Sequence, residues 1–156
     1  MKIESPALNR AYFETLQQLV EVASFPRLIG MRLEAIDFDS ATIAIDIDER
    51  HFQPFRIVHG GVLATLIDTA TFWAAFARIP QDAGLVNIDL KLNYLQPAIA
   101  GRLRAEGRCI RPGRTLSYSE AHIYNEQGEL LAHGTSTLMT LPGQGFDNGV
   151  PKFTSA

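Results

Sequence analysis

The chain is poor in the features that define several large protein classes. It holds one cysteine, Cys109, in 156 residues, so no internal disulfide forms, and a lone thiol fits a reducing compartment. It lacks an excess of positive charge: the net charge of −3 argues against general nucleic-acid binding, and neither a helix-turn-helix segment nor a basic arm is present. Its four histidines, His51, His59, His122 and His133, show no close pair at ligand spacing, so no metal is expected. The start, Met1-Lys2-Ile3-Glu4-Ser5-Pro6, lacks the basic-then-apolar layout of a secretory signal, and a cytoplasmic protein is expected. The longest apolar run, residues 58–77, is broken by Thr65, Asp68, Thr69 and Thr71, which argues against a membrane span.

What remains is a chain of ordinary globular composition, 46% hydrophobic and 20% charged, with no internal repeat and a length that suits one core. Residues 7–22 read as a helix, with Leu8, Tyr12, Leu16 and Leu19 at helical spacing, Ser5-Pro6 as its start and Pro26 blocking its continuation. Residues 25–30 read as a linker. From Met31 the period turns to two, giving strands over 33–38 and 41–47 around a turn at Asp39-Ser40. A loop with Gln53 and Pro54 leads to a long helix over 58–77, closed near Arg78-Ile79-Pro80. Residues 85–95 read as one strand, Val86, Ile88, Leu90, Leu92 and Tyr94 sharing a face. Leu103, Ala105, Gly107 and Cys109 alternate with Arg102, Arg104, Glu106 and Arg108 in the next. Turns at Pro112-Gly113 and Asn125-Glu126-Gln127-Gly128 join strands over 114–124 and 129–141. Three parts are expected: an N-terminal helix and linker (1–30) packed on the domain, the domain itself (31–141), and a mobile tail or one packed on a neighbour (142–156). Hairpins imply antiparallel pairing, and a curved sheet wrapped round one apolar helix satisfies both periods: an α+β fold.

The informative stretch is Val58-His59-Gly60-Gly61-Val62-Leu63-Ala64-Thr65-Leu66-Ile67-Asp68-Thr69-Ala70. Its apolar residues fall on all sides of a helix, so the helix is surrounded by protein. Asp68 is its only charge, and burying an ionised carboxylate costs several kcal/mol unless something binds it. Asp68 is therefore paired, partly wet, or functional; the structural alternative bonds it to neighbouring Thr hydroxyls or to Gln53. Phe72, Trp73 and Phe76 are core or pocket lining.

These residues carry a resemblance. His59-Gly60-Gly61 with Asp68 nine positions after the histidine, Lys91-Leu92-Asn93-Tyr94-Leu95-Gln96-Pro97-Ala98, and Gly113-Arg114-Thr115 together resemble the hotdog-fold acyl-CoA thioesterases, in their PaaI-like branch, over residues 30–141. The resemblance implies hydrolysis of acyl-coenzyme A to free acid and thiol, with coenzyme A as part of the substrate and no cofactor. It implies that the Gly60 N–H binds the thioester oxygen and that Asp68 is nucleophile or general base. His59 would help hold or polarise the carbonyl, and Gln53 would contact the thioester or the water. Some relatives carry Ser or Thr one turn after the carboxylate; here that position is Phe72, leaving Thr69 or Thr71 as substitutes. Gly61 is expected beside the substrate, and Arg111, Gly113, Arg114 and Thr115 beside the coenzyme A phosphates, for which Arg is well suited. For the rest of the Arg-rich ribbon, a solvated face with charge pairs is the preferred reading.

The chemistry demands a donor for the charge developing on the carbonyl oxygen, and a helix N-terminus supplies one. It also demands a carboxylate within reach of the carbonyl carbon, directly or through one water. Gly60 and Asp68 are eight residues apart, about 12 Å of helical rise, too far to share one carbonyl within one chain. Two antiparallel copies side by side remove the difficulty, so a homodimer, possibly a dimer of dimers, is expected. Two other functions remain open on the same residues: a hotdog enoyl-thioester hydratase or dehydratase, and a non-catalytic acyl-coenzyme A binder.

Overall fold

The structure, a computed structural model, describes residues 7–154. Nine strands and three helices follow in order, beginning with β1 (Ala7–Leu8), α1 (Arg10–Val22) and α2 (Ser24–Ile29). Asn9 opens α1, its side chain accepting from the Ala11 N–H at 3.1 Å, so the helix starts later than expected; Ser5-Pro6 lie outside the described residues. The buried face of α1 is Tyr12, Phe13, Leu16 and Val20, rotated from the expected one, and Leu19 is exposed. The expected linker is the short helix α2, with Pro26 in its first turn, where no N–H is missed.

The strands β2 (Arg32–Asp37) and β3 (Ser40–Asp46) form the first hairpin, and the long helix α3 (Gly60–Phe76) follows a single 3-10 turn at Glu49–His51. Then come β4 (Ala83–Asn87), β5 (Lys91–Tyr94), β6 (Arg102–Arg111), β7 (Leu116–Tyr124), β8 (Leu130–Pro142) and β9 (Phe153–Thr154). One seven-stranded sheet runs β2-β3-β6-β7-β8-β4, with β5 also on β8, and every pairing is antiparallel. As expected, Leu103, Ala105, Gly107 and Cys109 of β6 face inward. The sheet wraps α3, whose Leu66, Ile67, Ala70 and Ala74 are wholly buried. Each of the large ones contributes ~1.5–3 kcal/mol by leaving water. Gly107 permits this closeness: a Cβ there would strike the Ala70 carbonyl. One core surrounds the first half of α3, and a second joins its last turns to Tyr12, Phe13 and Leu16 of α1.

Two further expectations are corrected. Residues 85–95 are not one strand. Asn87 pairs with Leu138 and Lys91 with Thr135, so four steps on this side oppose three on β8. The extra residue kinks the strand and flips its faces; Asp89 holds the kink by accepting from the Thr137 N–H (2.9 Å) and the Ser136 hydroxyl (2.8 Å). Val86 and Ile88 consequently face outward, 38% and 52% exposed, while Leu85 is buried.

The second correction concerns residues 142–154, which pack on their own chain. β9 pairs with β1, the Gly145 N–H donates to the Asp82 carbonyl, and Lys152 is wholly buried. Its Nζ donates to the carbonyls of Phe76 (2.5 Å) and Ile79 (2.8 Å), over the Phe76 ring. Phe76 is the last residue of α3 and Ile79 lies three residues beyond it, so the ammonium sits at the helix C-terminus, where the negative end of the dipole favours a cation.

Burial pushes the Lys152 ammonium down to about 7 from its ordinary 10.5. The unfolded chain then holds the proton more tightly than the folded one. The stability from this group is complete above the unfolded value and lost as pH falls through the folded one. Thermal melts at pH 7, 8 and 9 should show wild type gaining on Lys152→Met as pH rises, by at most about 2 kcal/mol.

Candidate active site

The site is built at the open end of α3. His59 is the N-cap: its Nδ1 accepts from the Gly61 N–H at 2.8 Å. With Nδ1 accepting, the neutral ring carries its proton on Nε2. His59 is thus occupied by the helix end, and only Nε2 is left to face a ligand. The N–H of Gly60 has no hydrogen-bond partner among the described residues, so an unspent donor sits where the helix dipole is positive. His51 underpins this corner. It is buried, its Nδ1 accepts from the Asp48 N–H at 2.9 Å, its Nε2 meets the Ile29 carbonyl at 2.8 Å, and its own carbonyl accepts from the His59 N–H at 2.8 Å.

Gln53 lies on the loop before α3. Its Oε1 accepts from the Phe55 N–H at 2.5 Å, which leaves its amide N–H groups as donors. Gln53 and Gly60 line one cavity of about 400 Å3, with Ile57, Val58, Leu63, Tyr94 and residues 95–98. Gln53 and Gly60 are the two of these that the resemblance singles out. It does not foresee Tyr94, whose hydroxyl donates to the Gly60 carbonyl at 3.1 Å.

Asp68 stands further along α3, half-buried. No side chain or N–H among the described residues bonds its carboxylate, so the structural alternative of a Thr or Gln53 partner is not what the fold builds. Burial raises its pKa above the ordinary carboxylate value. Its backbone is held instead: the carbonyl accepts from the Thr71 hydroxyl (2.9 Å) and the Asn87 amide (3.2 Å). Thr71 is wholly buried and committed to the Ile67 and Asp68 carbonyls, so it is no substitute for a water-positioning hydroxyl; Thr69, half-buried, is the one left. Phe72, Trp73 and Phe76 pack on one another edge-to-face and stacked.

Gly61, Thr65, Asp68, Thr69 and Phe72 form one side of α3, the side its own sheet covers least. Since α3 is a continuous helix from Gly60 to Phe76, Gly60 and Asp68 stay about 12 Å apart along it. One chain does not bring them together.

The remaining candidates lie at the other end of α3. Gly113 and Arg114 line a cavity of about 520 Å3 with Arg78, Ile79, Pro80, Asp82, Ala83 and Thr140. The Thr115 carbonyl accepts from the Thr140 N–H, and Arg111 is exposed nearby on β6. Within the ribbon, Arg102 pairs with Glu34 and Arg104 with Glu106. Arg108, Arg111 and Arg114 make no ion pair among the described residues.

Comparison with known proteins adds to this geometry. Residues 55–132 match the family model described as the thioesterase superfamily. A putative esterase of Haemophilus influenzae is 27% identical over 128 residues, covering 82% of this chain and 92% of that protein. Human acyl-coenzyme A thioesterase 13 is 23% identical over 84% of this chain and 95% of its own. The solved structure of the E. coli PaaI protein is 20% identical and gives a TM-score of 0.78 over 88% of this chain and 98% of that one; it shows the same fold, a hotdog. Among the described residues no helix is long and apolar enough to cross a membrane.

Proposed function

The chain belongs to the thioesterase superfamily, and from that premise we propose that it hydrolyses acyl-coenzyme A thioesters to carboxylic acid and coenzyme A. The observation that carries the reading is an N–H at Gly60 and a half-buried carboxylate at Asp68 on one helix, neither with a partner among the described residues. The Gly60 N–H and the helix dipole stabilise the charge that grows on the thioester oxygen; such a donor contributes ~3–4 kcal/mol in the transition state. Asp68 attacks the carbonyl carbon or takes a proton from the attacking water, and its raised pKa makes it the better base. Gln53 offers amide N–H groups to the thioester or the water, and His59 offers Nε2–H while it fixes the first turn. The chemistry calls for no metal or redox cofactor.

In this reading the active unit is a cytoplasmic homodimer. Two α3 helices lie antiparallel along the sides that carry Asp68, so Gly60 of one copy faces Asp68 of the other. The outward-facing Val86 and Ile88, on the sheet edge beside that side of α3, support it, because a sheet edge with exposed apolar side chains is a pairing surface. Antiparallel pairing also draws the far end of one α3 towards the Gly60 end of its partner. Arg111, Gly113, Arg114 and Thr115 then come to the entrance and meet the coenzyme A phosphates, with Gly61 beside the thioester.

The test is thiol release from a panel of short, medium, long and aromatic acyl-coenzyme A esters. Turnover of at least one, on a dimer sized by light scattering, is the expected result. Binding of acyl-coenzyme A without thiol release, or hydration of an enoyl ester in its place, would overturn the reading.

A further inference from the structure

We propose that Tyr94 is a positioning residue for the reaction, clamping the Gly60–Gly61 peptide unit and so fixing the first turn from which the adjoining Gly60 N–H is aimed at the thioester oxygen. The proposal rests on the hydrolase reading above and extends it to a side chain on a different element. Two consecutive glycines open α3, and glycine is the residue whose backbone is least restrained. A donor on such a turn is useful only if it does not wander, because preorganisation is what makes an oxyanion donor effective.

The structure holds the Gly60–Gly61 peptide unit by both its polar groups, while the His59 carbonyl, in the unit that carries the Gly60 N–H, accepts from the Val62 N–H at 2.9 Å. His59 holds the Gly61 N–H from within the helix end. Tyr94 holds the Gly60 carbonyl at 3.1 Å from strand β5, 34 positions away. The Tyr94 ring also walls the turn: a Cβ on Gly60 would meet its Cζ and hydroxyl oxygen at 3.0 Å. Tyr94 lines the same cavity as Gly60 and Gln53. It is 56% exposed, so burial does little to hold the ring in place and the bond to Gly60 does more. With the Gly61 N–H and the Gly60 carbonyl both engaged, the Gly60 N–H is the group left for a ligand.

Tyr94→Phe keeps the ring and removes the donor. Measured on the best substrate of the panel, it should lower kcat about 5–10-fold, the effect of one net hydrogen bond. KM should stay within about twofold and Tm within about 1 °C of wild type, since an exposed hydroxyl adds little to ground-state binding or stability. Gly60→Ala already displaces the ring, so adding Tyr94→Phe to it should cost no further activity; that non-additivity shows the two act through one another. Wild-type kcat in Tyr94→Phe, or full additivity with Gly60→Ala, overturns the proposal. So does a loss of kcat that follows a fall in Tm or a rise in KM, which marks a packing role. Wild type that releases thiol from no ester in the panel overturns the hydrolase reading itself; active wild type with an indifferent Tyr94→Phe removes Tyr94 alone.

Discussion

Asp68→Asn should lower kcat roughly 1,000-fold, within the range for loss of a positioned acid–base group, while raising the melting temperature at pH 7. Both effects have one cause. No described group bonds the Asp68 carboxylate, and burial raises its pKa. A raised folded-state value means that the folded chain holds the proton more tightly than the unfolded one. The stability from this group is present below the unfolded value, 3.8, and is lost as pH rises through the folded one. At pH 7 the ionised carboxylate is therefore a net cost, and asparagine removes it, so the melting temperature should rise.

The same shift sets the acid limb of the wild-type pH profile. In the proposed reaction Asp68 acts in its ionised form, so kcat/KM should fall as pH drops through a value above that of a free carboxylate. Calorimetry and a pH–rate profile together check the prediction. An Asp68→Asn enzyme within tenfold of wild-type kcat would remove Asp68 from the mechanism.

Mixing two inactive variants should restore activity. Gly60→Pro removes the donor outright, since proline has no N–H yet is tolerated at the first helical position after an extended His59, and Asp68→Asn spoils the attacking group. If each site takes Gly60 from one copy and Asp68 from the other, a heterodimer of the two variants has one site with both groups intact and one with neither. Equal amounts, unfolded and refolded together, give half heterodimers by chance, each with one of two sites working. About a quarter of wild-type activity should return, from two preparations that each show almost none. A mixture that stays inactive although mass spectrometry shows heterodimers would place both groups of a site in one copy and discard the shared-site mechanism. The reason to expect recovery is the continuous helix from Gly60 to Phe76, which no rearrangement of side chains can shorten.

Much of the candidate site was legible before the fold was known, and for local reasons. His59-Gly60-Gly61 ahead of an apolar run marks a helix start with free N–H groups, and α3 does begin at Gly60 with His59 as its cap. The lone carboxylate in that run signals an expensive burial, and among the described residues the structure gives it no partner. The alternation in β6 predicts its buried face residue by residue.

Other features were hidden. The one-residue slip between β4 and β5 turns Val86 and Ile88 outward, and a period-two pattern is blind to a shift that β8 imposes from 50 positions away. The tail from Pro142 reads as mobile or packed on a neighbour because its glycines and prolines say nothing of Lys152, whose partners are carbonyls at and just beyond the end of α3. Tyr94 sits inside a quoted motif, yet no spacing rule points it at Gly60.

From the order of residues alone came the antiparallel sheet around one apolar helix, the donor-bearing helix start and the isolated acid. Each of these is set by interactions within a few positions: side-chain period, cap chemistry, the cost of a charge in an apolar run. The tertiary structure decided which carbonyl Tyr94 grips, which way the edge strand faces, and that the Arg114 cavity and the Gly60 cavity lie at opposite ends of α3. Those depend on groups far apart in the chain, whose meeting is governed by how the sheet closes on the helix rather than by any local preference.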